Sequence, residues 1–327
     1  PPQALLRCLQ TRLLLTRALD EPPAILDEVI EAPIIVTGQG RSGTSILFEL
    51  LSLDPDARSI AAWEATHPVP PIDDRNELMA RTECEQELWA DIQPEYATVH
   101  EHRSDLPVEC ITAMLPSFAS FQWWIENDLT SWTPDFVAAL QFHTVFLRIL
   151  QHGKPRKTWV LKTPVYLPVL DLVFQFFPDA WILLTHRDPL KTMPSGMSTL
   201  ASVRWQRSDE VDIDRMVSGS AGIFDLMVHL KQRREAGELP DRIADVHFLD
   251  QMRDPVEGIR SAYESMGRPF DDSHATRIRS YLESKPKGKF GSHSYAPEDW
   301  GFTKEAIRAD TRAYVETYGI ELEDDAD

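Results

Sequence analysis

The stretch TGQGRSGTS, residues 37 to 45, lies between the apolar runs APIIV and ILFELLSL. A glycine-rich turn joining a strand to a helix points backbone N–H groups and the positive end of the helix dipole at one spot, which suits an anion. Gly38, Gly43 and Ser45 match the triphosphate-loop pattern G-x-x-x-x-G-K-S/T, but Thr44 stands where its lysine belongs. That lysine serves the outer phosphates, and the hydroxyl after it serves magnesium. Its loss argues against a kinase or ATPase, and Arg41 supplies a positive charge from within the loop instead. The bland alternative is a turn whose glycines only let the helix pack close to the sheet.

A second cluster lies in LLTHRDPLKTMPSGMS, residues 183 to 198. A buried strand ends at Arg187, the chain turns at Asp188 and Pro189, and Ser195 comes round in the first turns of the next helix to face the same point. Arg187 can grip a phosphate through two parallel charge-assisted bonds, with one more from the Ser195 hydroxyl. Its structural alternative is an ion pair with Asp188. A third cation, Lys162, closes the run TWVLKT at 158–163, although a lysine at a strand end is often only a solvated cap. His100 and His102, in HEHR, lack a third ligand at metal-site spacing and read as a solvated helix face.

These residues need a sheet to position them. The runs at 32–38, 158–163, 180–186 and 243–249 are short and rich in β-branched residues, as strands covered on both faces are. PVYLPVLDLVFQFFP, between two of them, places Leu167, Leu170, Phe174 and Phe177 at helical spacing. TPDFVAALQFHTVFLRILQHG predicts a helix with Thr133 as N-cap, Pro134 first and Gly153 last, and PVEGIRSAYESMG repeats the pattern with Pro255 and Gly267. The alternation predicts an α/β fold: a single domain over 1–327, with a mostly parallel central sheet flanked by helices. Its motif-bearing core runs over 32–291, with a helical N-terminal extension at 1–31 and a C-terminal helix and acidic tail at 303–327. The final ELEDDAD reads as frayed.

Arg41-Ser42-Gly43-Thr44-Ser45, with Arg187 and Ser195 later, resembles the sulfotransferases that use 3′-phosphoadenosine 5′-phosphosulfate (PAPS). The resemblance implies a P-loop-like strand-loop-helix in which Gly40, Arg41, Ser42, Gly43, Thr44 and Ser45 hold the 5′-phosphosulfate, while Arg187 and Ser195 hold the 3′-phosphate. It also accounts for the missing lysine, since PAPS carries no triphosphate and needs no magnesium bridge. VLKTPVYL, at 160–167, resembles the family strand whose lysine stands near the reacting sulfate. FLDQMRDP, at 248–255, resembles the segment that closes the sheet, with Phe248 lacking the hydroxyl often found there. KPKGKFG, at 285–291, resembles the late basic-glycine loop, from which only Lys287 carries over because Pro286 replaces the usual arginine.

Sulfuryl transfer asks for in-line attack by an acceptor hydroxyl and for cations near the bridging oxygen. Arg41 and Lys162 are the candidates for that charge. The histidine that cytosolic small-molecule members place two residues after the strand lysine is here Pro164. The resemblance to the glycosaminoglycan branch points instead to a glutamate beyond the second strand, where Glu64 falls, with His67 as runner-up. Glu64 otherwise reads as a solvated carboxylate or a partner of Arg41. The implied product is adenosine 3′,5′-bisphosphate (PAP), with no metal.

Asp and Glu outnumber Lys and Arg by 52 to 33, a formal charge of −19, which argues against nucleic acid, an anionic membrane or a polysulfated glycan as partner. The expected acceptor is a small apolar or aromatic molecule with a hydroxyl, such as a phenol, sterol or lipid, if part of the aromatic segment 115–132 lines the cleft. The alternative for Phe118, Phe121, Trp123, Trp124 and Trp132 is ordinary core. Three separated cysteines read as free thiols in a reducing compartment, and with no apolar run of roughly 18 residues the expectation is a cytoplasmic protein without stable membrane insertion. The rival functions are a phosphate-loop small-molecule kinase and a non-catalytic nucleotide-binding protein.

Overall fold

In a computed structural model of the chain, residues 2–20, 23–69, 72, 74–93, 103–129, 131–285 and 296–323 are described. Five strands, β1 (Ile34–Gly38), β2 (Ala57–Arg58), β3 (Thr158–Lys162), β4 (Trp181–His186) and β5 (Ile243–His247), hydrogen-bond in the order β2-β3-β1-β4-β5, every pair parallel. Four were expected. Ala57–Arg58 is too short to announce itself by periodicity, and pairing with Thr158 and Trp159 is what makes it a strand. The last strand stops at His247, so Phe248 opens a helix.

Strand side chains alternate between faces, and β1 shows why the sheet needs helices on both. Ile34 and Val36 join a cluster with Leu47, Phe48 and Ile259, whereas Ile35 joins the opposite cluster with Phe146, Leu161 and Phe224. The helices in chain order are α1 (Pro2–Asp20), α2 (Thr44–Leu51), α3 (Ala62–Thr66), α4 (Arg75–Ile92), α5 (Cys110–Ala113), α6 (Phe121–Asn127), α7 (Phe136–Gln151) and α8 (Leu170–Phe176). There follow α9 (Pro189–Trp205), α10 (Ile213–Val217), α11 (Gly222–Glu235), α12 (Phe248–Arg253), α13 (Pro255–Ser265), α14 (Asp272–Ser284), α15 (Lys304–Asp310) and α16 (Arg312–Tyr318).

Local chemistry sets the helix ends. The cap of α7 is Asp135, whose carboxylate accepts from Ala138 N, so the helix starts later than Thr133 and Pro134 predict. The segment before α8 is a 3-10 turn over Pro164–Val169 with Pro168, which has no N–H to donate, inside it. α13 begins at Pro255 with Asp254 as cap, as its pattern predicts.

Candidate active site

The chain leaves β1 for β2 and β3 on one side and returns to β4 on the other, so the loops after β1 and β4 diverge above the carboxyl edge of the sheet. Open α/β sheets bind ligands at such a reversal. Lys162 ends β3 beside Val36 of β1, and Arg41 and Arg187 lie just beyond the ends of β1 and β4. Three adjacent strands thus carry three cations to one edge.

The loop between β1 and α2 is fixed by close approaches. A Cβ on Gly38 (φ 140°) would come within 2.5 Å of Thr185 Oγ1, and one on Gly43 (φ 90°) within 2.5 Å of the Phe248 ring. Ser42 is turned inward: its hydroxyl donates to the Gln39 carbonyl at 2.5 Å and lies 2.6 Å from Thr185 Oγ1. Its side chain therefore fastens the loop to β4. Thr44 begins α2, and Ser45 reaches a cavity wall.

Arg41 Nε donates to Ser195 Oγ at 3.0 Å, and Arg187 Nη1 donates to the Arg41 carbonyl at 3.4 Å. The two loops read from the sequence therefore meet. Asp188 does not pair with its neighbour Arg187. It caps α9 through Leu190 N, takes a two-point contact from Arg308 and accepts from Glu323 N at 2.7 Å. Arg187 instead lies 4.0 Å over the Phe248 ring and makes a fork with Glu323. A cavity of about 190 Å³ beside it is walled by His247, Phe248, Tyr318 and Glu323, among others.

Lys162, only 3% exposed, sets its ammonium against the Glu109 carboxylate. Glu109 stands at the N-cap of α5, and the preceding Val108 N–H donates to Ile60 O at 2.9 Å. Both side chains face a cavity of about 390 Å³ that also has Ser45, Phe48, Trp89 and Gln206 in its walls. Its carboxylates all have cationic partners: Glu85 with Arg7, Glu126 with Arg207, Glu49 with Lys285, and Glu109 with Lys162.

Glu64 sits elsewhere. Its Oε1 accepts from Arg58 Nη2 at 2.8 Å and lies 3.6 Å from Lys154, its Oε2 faces Ala61 N at 3.3 Å, and it is not among the wall residues of the larger cavity. His67 caps α3 with a buried, unpartnered Nε2, and burial lowers its pKa. Lys287, His100 and His102 lie outside the described residues.

The aromatic segment divides. Phe118 stacks on Trp123 and Phe121 on Trp124, while Leu115, Gln122, Ile125 and Glu126 present the cavity face. Along this segment the wall is thus aliphatic, amide and the Arg207-paired carboxylate of Glu126, and Trp89 and Phe48 are its aromatics. Among the described residues no group of three His, Cys, Asp or Glu is placed to hold a metal, and no helix is long and apolar enough to cross a membrane.

The model of the sulfotransferase family matches residues 33–272. The chain belongs to that family. It is similar to the omega-hydroxy-beta-dihydromenaquinone-9 sulfotransferase Stf3 of Mycobacterium bovis, 23% identical over 83% of this chain and 71% of that protein. Among solved structures, sulfotransferase STF9 from Mycobacterium avium superimposes with a TM-score of 0.77 at 26% identity, covering 97% of this chain and 84% of that one. Sulfotransferase STF1 from Mycobacterium tuberculosis shares the fold, with a TM-score of 0.71 at 23% identity, over 93% of this chain and 83% of that one. Like these, the chain is an enzyme of sulfuryl transfer with an α/β fold around a parallel sheet.

For a sulfotransferase, sequence reasoning missed three residues of this edge. Glu109 precedes a four-residue helix and Trp89 lies on a helix of mixed pattern, so neither stands out in the sequence. Glu323 lies in the tail expected to fray, yet residues 321–323 are held down by contacts of Glu321 with Arg253 and of Glu323 with Arg187.

Proposed function

We propose that this sulfotransferase moves a sulfuryl group from PAPS to the hydroxyl of a small, uncharged and largely apolar acceptor, releasing PAP. The observation that carries the reading is that Lys162 and Ser45 stand in the wall of the larger cavity, while Arg41, four residues before Ser45, meets Ser195 and Arg187. One edge can thus serve a doubly anionic nucleotide and a separate acceptor. The Glu323 carboxylate on Arg187 occupies a place where an anion is favoured.

The donor supplies the activated sulfuryl group; the protein's part is to hold charge and exclude water. Arg41, Gly40, Gly43, Thr44 and Ser45 would hold the phosphosulfate end, with Ser42 fixing the loop, and Arg187 and Ser195 the 3′-phosphate. Lys162 would neutralise charge that builds on the reacting oxygens. Glu64, tied to Arg58, is less well placed than Glu109 to take the acceptor proton. The balanced charge of the cavity wall favours an uncharged acceptor, since an unpaired buried charge costs several kcal/mol. The named substrate of the M. bovis relative, an omega-hydroxylated dihydromenaquinone, is consistent with a hydroxyl on an apolar body.

PAP without metal should raise the melting temperature, whereas ATP with magnesium should not; the reverse would favour a phosphate-loop kinase. Labelled sulfate from PAPS should then appear on members of a panel of phenols, sterols and long-chain alcohols. PAP binding with no transfer to any acceptor or to water would favour a non-catalytic binding protein.

A further inference from the structure

We infer that Glu109 is the general base of the reaction and that Lys162 holds it between turnovers; the inference rests on the sulfotransfer reading above. A base must lie within hydrogen-bond reach of the proton it removes. Of the carboxylates in the larger cavity, Glu109 is the one paired with the strand-end lysine. Glu49 is held by Lys285 and the Tyr281 hydroxyl, Glu85 by Arg7, and Glu126 by Arg207 and Gln122.

Glu109 differs from them in its setting. Its side chain is 26% exposed while Lys162 is 3% exposed, so of the two groups in this cavity wall the carboxylate has the more open side. The backbone that presents it is anchored: Val108 N donates to Ile60 O, Ala62 N to Leu106 O, and Ala61 bridges Pro107. A base held on such a frame needs little reorganisation at the moment of transfer.

The pairing also gives an order of events. A sulfate group brought to the loop end draws the Lys162 ammonium toward its oxygens, which weakens the hold on Glu109. The carboxylate then accepts the proton of the acceptor hydroxyl. A lone pair on the acceptor oxygen forms the new O–S bond, and the bond from sulfur to the bridging oxygen breaks with its electron pair passing to the 5′-phosphate. The products are the sulfate ester and PAP, and Glu109 returns its proton to solvent. Without bound sulfate, Lys162 keeps the carboxylate engaged, so the base is released only when the donor is present.

Glu109→Gln keeps the shape of the side chain and removes its charge. Single-turnover conversion of PAPS, with 1-dodecanol or water as acceptor, should slow at least 100-fold in Glu109→Gln and less than 10-fold in Glu64→Gln. Binding gives a second readout that needs no turnover. With its competitor neutralised, Lys162 should favour the sulfate, so the affinity for PAPS relative to PAP should rise in Glu109→Gln. A fall in that ratio would make Glu109 only a support for the lysine and would overturn the inference, as would unchanged conversion. Glu109→Asp, with the carboxylate drawn back by one methylene, should retain part of the rate. Wild-type protein that binds neither PAPS nor PAP would instead sink the sulfotransfer reading itself.

Discussion

Arg187 donates from Nε and Nη2 to the two carboxylate oxygens of Glu323, at 2.7 and 2.8 Å, so the charge read as a phosphate clamp is met by an acidic residue near the C-terminal end. The Glu323 N–H in turn donates to Asp188, the cap of α9. A nucleotide phosphate bound at Arg187 has to displace this carboxylate. Glu323→Gln should therefore tighten PAP binding at least ~5-fold, about 1 kcal/mol, less than the roughly 1.5–3 kcal/mol of a charge-assisted bond because the neutral amide still occupies the place. Arg187→Ala should weaken it by about 1.5–3 kcal/mol. Calorimetric titration of both variants reads the two signs, and equal affinity in Arg187→Ala and wild type would remove Arg187 from the nucleotide site.

Four of the five strands were legible because they are short apolar runs, and the loops after them carry glycine, arginine and proline at fixed offsets. Those signals are local. Arg41 and Ser195 could be named from the sequence for the same reason, although their contact at 3.0 Å spans 154 positions. Glu109 and Gln206 were not legible, because their meaning comes from what the fold places opposite them. Glu64 shows the converse: its distance from the glycine loop suits a base, but the α3 turn directs it to Arg58 and to its own backbone.

Gln206 stands at the C-cap of α9, 8% exposed, and neither amide atom has a hydrogen-bond partner among the described residues. Gln86 Oε1 and Gln122 Oε1, also of residues in the cavity wall, are buried without partners too. An unmatched buried amide costs about 1–3 kcal/mol, and replacing it by an apolar group of similar size removes that cost. Gln206→Leu should thus raise the melting temperature of the free protein while weakening acceptors that carry a second hydroxyl or carbonyl. Comparing 1-dodecanol with 1,12-dodecanediol checks the second half. A lower melting temperature in the variant would mean that the amide already has protein partners.

Gly43 shows how closely the loop is fitted. A methyl at this position meets the Phe248 ring at 2.5 Å on a backbone at φ 90°, which L-residues other than glycine rarely adopt. Phe248 in turn supports the Arg187 guanidinium. Gly43→Ala should cost about 1–3 kcal/mol of stability from strain and overpacking. It should also weaken PAP binding, because the ring cannot retreat without carrying its support away from Arg187. Chemical denaturation and PAP titration measure the two effects. An intact affinity would show that the ring and the guanidinium move independently.

The core behind β3 also predicts how stability responds to acid. His143 is fully buried, its Nδ1 2.7 Å from the Tyr166 hydroxyl and its Nε2 unpartnered, and burial pushes its pKa down to about 3. The unfolded chain takes up a proton there near pH 6.5, whereas the folded chain does not until far lower pH. Below pH 6.5 the unfolded state therefore binds more protons, and stability falls with pH by about 1.4 kcal/mol per unit from this group alone. His143→Gln keeps an acceptor for Tyr166 and removes the titration. Between pH 6 and pH 5 the wild type should lose roughly 1 kcal/mol more stability than the variant in urea denaturation. Parallel losses in the two proteins would place the histidine in contact with water or with an acid that lets it charge in the folded state.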